Sequence, residues 1–312
     1  MRKYVKEYKW ANIGAMVRNL ALGPEVCTDD FSDRTVVITG ATSGIGCATA
    51  HKYASHGARV LSVNRNKEKS ERLCETLRAQ HGADCTYLLA DFARLTDVHR
   101  VGEQLAAMNR QIDVLIHNAG VYATKRTLTD DGLEMVFQVD YLSSFVVNHH
   151  LREKLLAQGS GRIIFVNSEA HRFAVWGLHM DDLAWETHRY SGSRSYGAAK
   201  LAQLLSMIKL NEMLAGTGVT VNAMHPGNVK TNSGQNNGPV YRFFKRILVD
   251  STAKSPEVAA EALYYLGVSA DVAGASGGFY NLTTEEEPAP PALDREAATE
   301  LWTLSHRLGG LE

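Results

Sequence analysis

The sequence predicts an α/β fold, a doubly wound parallel sheet of seven strands in a single domain. Three observations predict it: short β-branched runs alternating with longer helical stretches from Arg34 onward, a glycine-rich turn directly after the first run, and a composition suited to one large core. Apolar residues make up 45% and charged residues 21% of the 312, enough to bury a sizeable core and too apolar for extended disorder. With 33 basic against 34 acidic residues, no global field recruits nucleic acid, and a charged ligand must be held locally.

The chain divides into an N-terminal extension over residues 1–30 and a body over 31–312. In the extension, Trp10, Ile13, Val17 and Leu20 fall at helical spacing, and Arg2, Lys3, Lys6, Lys9 and Arg18 stand against a single Glu7. Such a basic amphipathic segment either packs on its own domain or a partner subunit, or lies on an anionic membrane surface. Packing is favoured because the segment is short and Gly14 weakens the helix; peripheral membrane contact through residues 1–20 is the alternative.

The expected strands are Thr35–Thr39, Arg59–Val63, Thr86–Ala90, Val114–His117, Arg162–Asn167, Val219–Met224 and Gly278–Asn281, each but the last leading into a loop and helix. Gly57 suits the stop of the first helix, and Ser255-Pro256-Glu257 starts a late one over Pro256–Leu266. Residues 169–195 and 230–254 interrupt the rhythm after strand C-terminal ends. Their length and their aromatic residues (Phe173, Trp176, Trp185, Tyr190, Tyr241, Phe243 and Phe244) suit substrate loops. Glu285–Pro291 reads as a surface connector, and Ala297, Leu301, Leu304 and Leu308 as a docking helix. The four cysteines Cys27, Cys47, Cys74 and Cys85 show no metal or CxxC spacing, and no apolar run approaches the ~18 residues of a membrane span. Reduced thiols and a cytoplasmic protein are the expectation.

The chemistry begins at Val36-Val37-Ile38-Thr39-Gly40-Ala41-Thr42-Ser43-Gly44-Ile45-Gly46. Glycines between a strand and a helix let the backbone approach a pyrophosphate, and the helix N-terminus supplies oriented N–H groups. Such a Rossmann-type turn calls for a dinucleotide. At the end of the second strand, Asn64-Arg65 replaces the acidic residue that would hold ribose hydroxyls, which favours NADP over NAD. Ser195-Tyr196-Gly197-Ala198-Ala199-Lys200 puts Tyr196 and Lys200 one helical turn apart on one face, where an ammonium can stabilise a phenolate for general acid/base work.

Together these residues resemble the short-chain dehydrogenase/reductase family. The pattern is TGATSGIG over 39–46, Asp91 and Phe92 after the third strand, Asn118-Ala119-Gly120 after the fourth, Ser168 after the fifth, Tyr196 and Lys200, and Pro226-Gly227 after the sixth. Asn64-Arg65, His225-Pro226-Gly227 and Glu300-Leu301-Trp302 are similar to the branch containing retinol dehydrogenases and WW-domain oxidoreductases. The resemblance implies that Tyr196 exchanges a proton with a carbonyl oxygen, Ser168 bonds the same oxygen, and Lys200 holds the nicotinamide ribose. It places Gly40, Thr42, Ser43, Gly44, Ile45, Gly46, Arg65, Asp91, Phe92, Asn118, Ala119, Gly120, Pro226, Gly227, Val229 and Thr231 around the cofactor. The resemblance also allows a homo-oligomer (a homodimer or tetramer), an arrangement that differs between branches of the family.

Two departures stand out. Asp140 occupies the place of an Asn that joins the active-site lysine to a water chain; a carboxylate accepts hydrogen bonds but, unless protonated, does not donate as an amide does. His117 replaces a first Asn before Asn118 and reads as a hydrogen-bonded core histidine. No histidine has an arranged set of acidic or cysteine neighbours, so no metal is expected. The leading expectation is an NADPH-linked reductase, or the reverse dehydrogenase, acting on a small hydrophobic carbonyl or alcohol. The rival, motivated by Asp140, is a dinucleotide-binding sensor or interaction protein with little turnover. Reduction of a carbon–carbon double bond would share the same cofactor motifs.

Overall fold

Thr35–Thr39 forms β1, five buried residues whose β-branched side chains alternate between the two faces of the sheet. The computed structural model describes residues 3–4, 7–9, 14, 19, 21–227 and 254–311. After β1 come α1 (Gly44–Ala54), β2 (Arg59–Asn64), α2 (Lys67–His81), β3 (Cys85–Leu89), α3 (Leu95–Ala106) and β4 (Val114–His117). A π-helical turn at Phe137–Leu142 runs into α4 (Ser143–Gln158), followed by β5 (Gly161–Val166) and a 3₁₀ turn at Glu169–Phe173. Next are α5 (Gly192–Leu214), β6 (Val219–His225), α6 (Pro256–Val268), β7 (Phe279–Asn281), β8 (Thr284–Glu286) and α7 (Arg295–Leu308).

The strand order is β3-β2-β1-β4-β5-β6-β7-β8, so the chain reverses direction across the sheet between β1 and β4. β1 is parallel to β2, with Thr35 opposite Arg59, and to β4, with Val36 opposite Val114. Two apolar layers cover the faces. Val37 joins α3, α4, α5 and α7 on one side, while its neighbours Val36 and Ile38 join α1, α2 and α6 on the other. A parallel sheet covered on both faces is why the strands read as nearly continuous apolar runs. Ligands in such folds bind beyond the strand C-termini at the reversal point.

Three expectations are corrected. The sheet has eight strands, not seven: Leu282, in a left-handed conformation, turns the chain so that β8 pairs antiparallel with β7. The acidic stretch Glu285–Pro291 is therefore no surface connector; Glu286 and Pro291 are buried. Acidic residues have little strand propensity, so only pairing with β7 organises them. The thiols are not all reduced, because Cys74 of α2 and Cys85 of β3 form a disulfide with Cα atoms 5.1 Å apart, leaving Cys27 and Cys47 free. Only the antiparallel return of the chain from helix to strand sets that approach.

The predicted helix in residues 1–20 and the loop 230–254 lie almost wholly outside the described residues. Among the described residues, no helix is long and apolar enough to cross a membrane.

Candidate active site

The site is assembled from the C-terminal ends of the strands. After β1 the backbone enters left-handed geometry at Gly40 (φ +70°) and Gly44 (φ +56°), which only glycine adopts cheaply. A Cβ at Gly40 would come within 2.9 Å of the Ala119 backbone, whereas one at Gly44 would meet nothing within 4 Å. Gly40 therefore allows close packing on the β4 end, and Gly44 leaves open space at the N-terminus of α1, where a pyrophosphate fits. Gly46 packs against Asn118 and does not face that space.

Two asparagines fasten this turn. Asn64 Oδ1 accepts from Ala41 N at 2.8 Å, and its amide donates to Ser62 and Ser70. Asn118 Nδ2 donates to the carbonyls of Thr39 and Gly40, at 2.9 and 3.0 Å, while Thr39 Oγ1 accepts from Asn118 N and Ala119 N. The amide of Asn118 thus shapes the cleft by holding β1 to β4. Beside Asn64, Arg65 is exposed at the cleft rim with Lys69 on the next helix. Asp91 receives the Ala93 N–H on Oδ1, which orders the β3 end.

These ends enclose a cleft of about 850 Å³, within the usual range of ligand sites. Gly40, Thr42, Ser43, Gly44, Ile45, Arg65, Asp91, Phe92, Asn118, Ala119 and Gly120 line it, as do Asp140, Ser168, Tyr196, Lys200, Pro226 and Gly227. The expected residues converge, apart from Gly46 beneath the turn and Val229 and Thr231, which lie outside the described residues. The aromatic residues of the loop after β5 do not face this cleft. Phe173, Trp176 and Trp185 instead wall a separate cavity of about 30 Å³, and Tyr122 is the aromatic wall beside Tyr196, ring centroids 5.7 Å apart.

Ser168 caps the 3₁₀ turn after β5; its Oγ accepts from Ala170 N at 3.1 Å and its carbonyl accepts from His171 Nδ1 at 2.8 Å. Lys200 is buried, with Nζ 5.4 Å from the Tyr196 ring centroid, and donates to the Val166 carbonyl at 2.9 Å. Its carboxylate neighbour is Asp140, 3.7 Å away and equally buried. Burial pushes the Asp140 carboxyl up to about 6 even though Lys200 opposes the shift. Burial also lowers Lys200, with Asp140 pulling the other way. Asp140 Oδ1 accepts from Val121 N at 2.7 Å, so the residue anchors the loop after β4 as well. It sits in the π-helical turn, a distortion common where a side chain must be re-aimed.

Three residues beyond the expected set complete the arrangement. Gln203 Oε1 accepts from Lys200 at 3.3 Å and Asn167 at 2.9 Å, while its amide donates to the Asp140 carbonyl at 2.6 Å. Glu134 Oε2 caps the π-turn through Phe137 N and accepts from Ser195, immediately before Tyr196. Gln203 lies three residues from Lys200 on one helix face, a signal present in the sequence; Glu134 and Asn167 come together only through the fold. His117 is the expected core histidine: it bonds Asn148 at 2.8 Å, and burial holds it down at about 4. Among the described residues no His, Cys, Asp and Glu group is arranged to hold a metal.

A glycine-lined cleft at the sheet's reversal point, closed by a tyrosine and a buried lysine one helical turn apart, is the arrangement of a nicotinamide-dinucleotide oxidoreductase. Comparison with known proteins gives the family. The short chain dehydrogenase model matches residues 34–180. Human retinol dehydrogenase 13 is 36% identical over 286 residues, covering 89% of this chain and 85% of that protein. The human WW domain-containing oxidoreductase is 34% identical over 285 residues, covering 89% and 69%. A solved structure from Beutenbergia cavernae, described as an NAD(P) dependent gluconate 5-dehydrogenase with NADP bound at low occupancy, superposes with a TM-score of 0.63 at 27% identity, covering 81% and 96%. The chain belongs to the short-chain dehydrogenase family and is an NAD(P)-dependent oxidoreductase.

Proposed function

We propose that the protein is an NADP-dependent oxidoreductase of a hydrophobic carbonyl or alcohol, with Tyr196 as general acid/base, in a catalytic domain over 31–312. The observation that carries this reading is the convergence of Tyr196, Lys200 and Ser168 on the glycine-lined cleft, with the lysine ammonium buried beneath the tyrosine ring. A bound nicotinamide dinucleotide supplies or accepts the hydride. The glycine turn would hold its pyrophosphate, Arg65 and Lys69 a 2′-phosphate, and Asp91 and Phe92 its adenine.

In the reductive direction Tyr196 gives its phenolic proton to the carbonyl oxygen as negative charge develops there. Ser168 Oγ hydrogen-bonds the same oxygen, and the Lys200 charge stabilises the phenolate left behind. Asp140 and Gln203 orient Lys200. The exposed cationic pair at the β2 end supports NADP, as does the NADP held by the Beutenbergia cavernae relative. Tyr122 at the cleft beside Tyr196, together with the retinol dehydrogenase relative, supports a hydrophobic substrate.

The reading is tested by following NADPH absorbance with the purified protein against ketones, aldehydes, retinoids and steroids. Tyr196→Phe is expected to keep cofactor affinity while losing ~10²-fold or more in turnover, the ordinary worth of a positioned acid. Turnover within about threefold of wild type would remove Tyr196 from the mechanism. A second reading, a dinucleotide-binding sensor, is favoured by the buried Asp140–Lys200 pair, which opposes the field that Lys200 exerts on Tyr196. It predicts tight NADPH binding with no turnover on any substrate of the panel.

A further inference from the structure

One residue before Tyr196 the chain enters a second polar junction, which the proposed proton transfer leaves unused. Its centre is Glu134, 1% exposed, on the stretch that leads into the π-turn. Glu134 Oε2 accepts from Phe137 N at 2.8 Å and from Ser195 Oγ, in the first turn of α5, at 3.1 Å. Its Oε1 accepts from the Tyr190 hydroxyl at 3.3 Å, and the same O–H is shared with the Ala123 carbonyl at 3.1 Å. One carboxylate therefore joins the π-turn, the start of α5, the end of the long loop after β5 and, through Tyr190, the loop after β4.

A buried carboxylate is tolerated only where donors meet its oxygens. The donors to Glu134 come from elements far apart in the chain, so the carboxylate locates those elements relative to one another. Both ends of the link border the reacting atoms. Ser195 precedes Tyr196, and a rotation of the first turn of α5 would carry the phenol with it. Ala123 follows Tyr122, the aromatic wall of the cleft, whose ring centroid lies 5.7 Å from that of Tyr196. Packing agrees with the hydrogen bonds: a Cβ on Gly192 would come within 2.5 Å of the Ala123 carbonyl oxygen and 3.0 Å of the Tyr122 hydroxyl, so α5 starts in direct contact with this loop.

We propose that Glu134 is a positioning residue for the reaction: through Ser195 it sets where the Tyr196 hydroxyl stands, and through Tyr190 it sets the Tyr122 wall beside it. The proposal rests on the reading of Tyr196 as the general acid/base. Its two links are separable, because Ser195 acts on the proton donor and Tyr190 on the seat of the substrate.

The test uses the full chain with Ser195→Ala, Tyr190→Phe, Glu134→Gln and Glu134→Ala, and steady-state kinetics on the best carbonyl substrate. Ser195→Ala cuts only the link to α5 and is expected to lower kcat about tenfold at unchanged KM for NADPH, within the ~10²-fold that a misplaced group can cost. Tyr190→Phe is expected to raise KM for the carbonyl about threefold or more, with kcat within about twofold of wild type. Glu134→Gln presents an amide oxygen to Phe137 N and Ser195 and an amide N–H to the Tyr190 oxygen. It keeps the geometry without the charge and should stay within about twofold of wild type, whereas Glu134→Ala should combine both losses. Hydrogen exchange of residues 191–196 should quicken in Ser195→Ala and Glu134→Ala but not in Glu134→Gln. A wild-type kcat in Ser195→Ala, a wild-type carbonyl KM in Tyr190→Phe, or a Gln variant as impaired as Ala overturns the proposal. Should Glu134→Ala fail to fold, Ser195→Ala and Tyr190→Phe still decide the matter, since both leave the carboxylate and its bond to Phe137 in place. Full turnover in Tyr196→Phe would instead overturn the reading of Tyr196, while exchange at 191–196 would still report whether Glu134 secures α5.

Discussion

At the scale of single residues, the centre of the site is the buried Asp140–Lys200 pair. Because burial raises the Asp140 carboxyl to about 6, the folded state prefers its neutral form. That contribution to stability is fully present below the unfolded carboxylate range and is lost as pH rises through about 6. Above that pH the charged carboxylate pairs with Lys200 and offsets its field at Tyr196. Asp140→Asn is therefore expected to move the acid/base limb of the kcat/KM profile down by about one pH unit and to raise activity near neutrality. A superimposable profile for the two proteins would show that Asp140 does not govern the tyrosine. Arg65 offers a separate test, since its side chain is exposed at the cleft rim. Arg65→Asp should turn preference from NADP towards NAD by ~10-fold or more, the scale of a lost charge-assisted bond. Equal NADP affinity before and after would make Arg65 a surface charge only.

At the scale of elements, the loop between the 3₁₀ turn and α5 is organised by one carboxylate. Asp182 accepts from the backbones of Glu186, Thr187 and His188, from Thr187 Oγ1 at 2.7 Å and from His188 Nδ1 at 2.7 Å. These bonds hold its carboxyl well below the usual range, against the opposing effect of burial. Their stabilisation is present above the unfolded carboxylate range and is lost only in strong acid, as pH falls through the lowered value. Asp182→Ala should leave Thr187 and His188 donors unpaired and cost about 1–3 kcal/mol. Faster hydrogen exchange confined to residues 179–190 is expected, with NADPH affinity unchanged because the cleft lining excludes this loop segment. Uniform exchange across the whole chain would mean that the loop is not the element Asp182 secures.

At the scale of the whole molecule, the cleft joins both halves of the sheet: Gly40 and Arg65 come from one side of the reversal point, Ser168 and Pro226 from the other. A ligand that bridges them binds the folded chain alone and stabilises it by mass action. At about 100 times its Kd, NADPH should add about 2.7 kcal/mol, seen as a rise in Tm with cofactor concentration. NAD at equal concentration should raise Tm less, and equal shifts would count against the assigned preference. The N-terminal segment joins the same body. Tyr4 is buried, its hydroxyl donates to Asp294 at 2.6 Å, and a Cβ at Gly177 would meet its ring at 3.1 Å. These contacts, with the hydrogen bond from Asn19 to Glu286, support the packing alternative for the extension.

The sequence by itself determined the parallel sheet, the glycine-rich strand-to-helix turn and the Tyr196–Lys200 spacing. Each is encoded by neighbours in the chain: β-branched runs, glycines where the backbone turns left-handed, and two side chains one helical turn apart. Only the tertiary structure decided what those residues touch. Asp140 and Lys200 are distant in sequence and meet because the π-turn and α5 pack together; Asn118 gives its amide to the β1 turn; β8 exists because β7 lies beside it. The Cys74–Cys85 bridge and the Glu134–Tyr190–Ser195 junction belong to the same class. Local patterns record backbone preferences, whereas burial and charge pairing arise from residues that the chain brings together only when it folds.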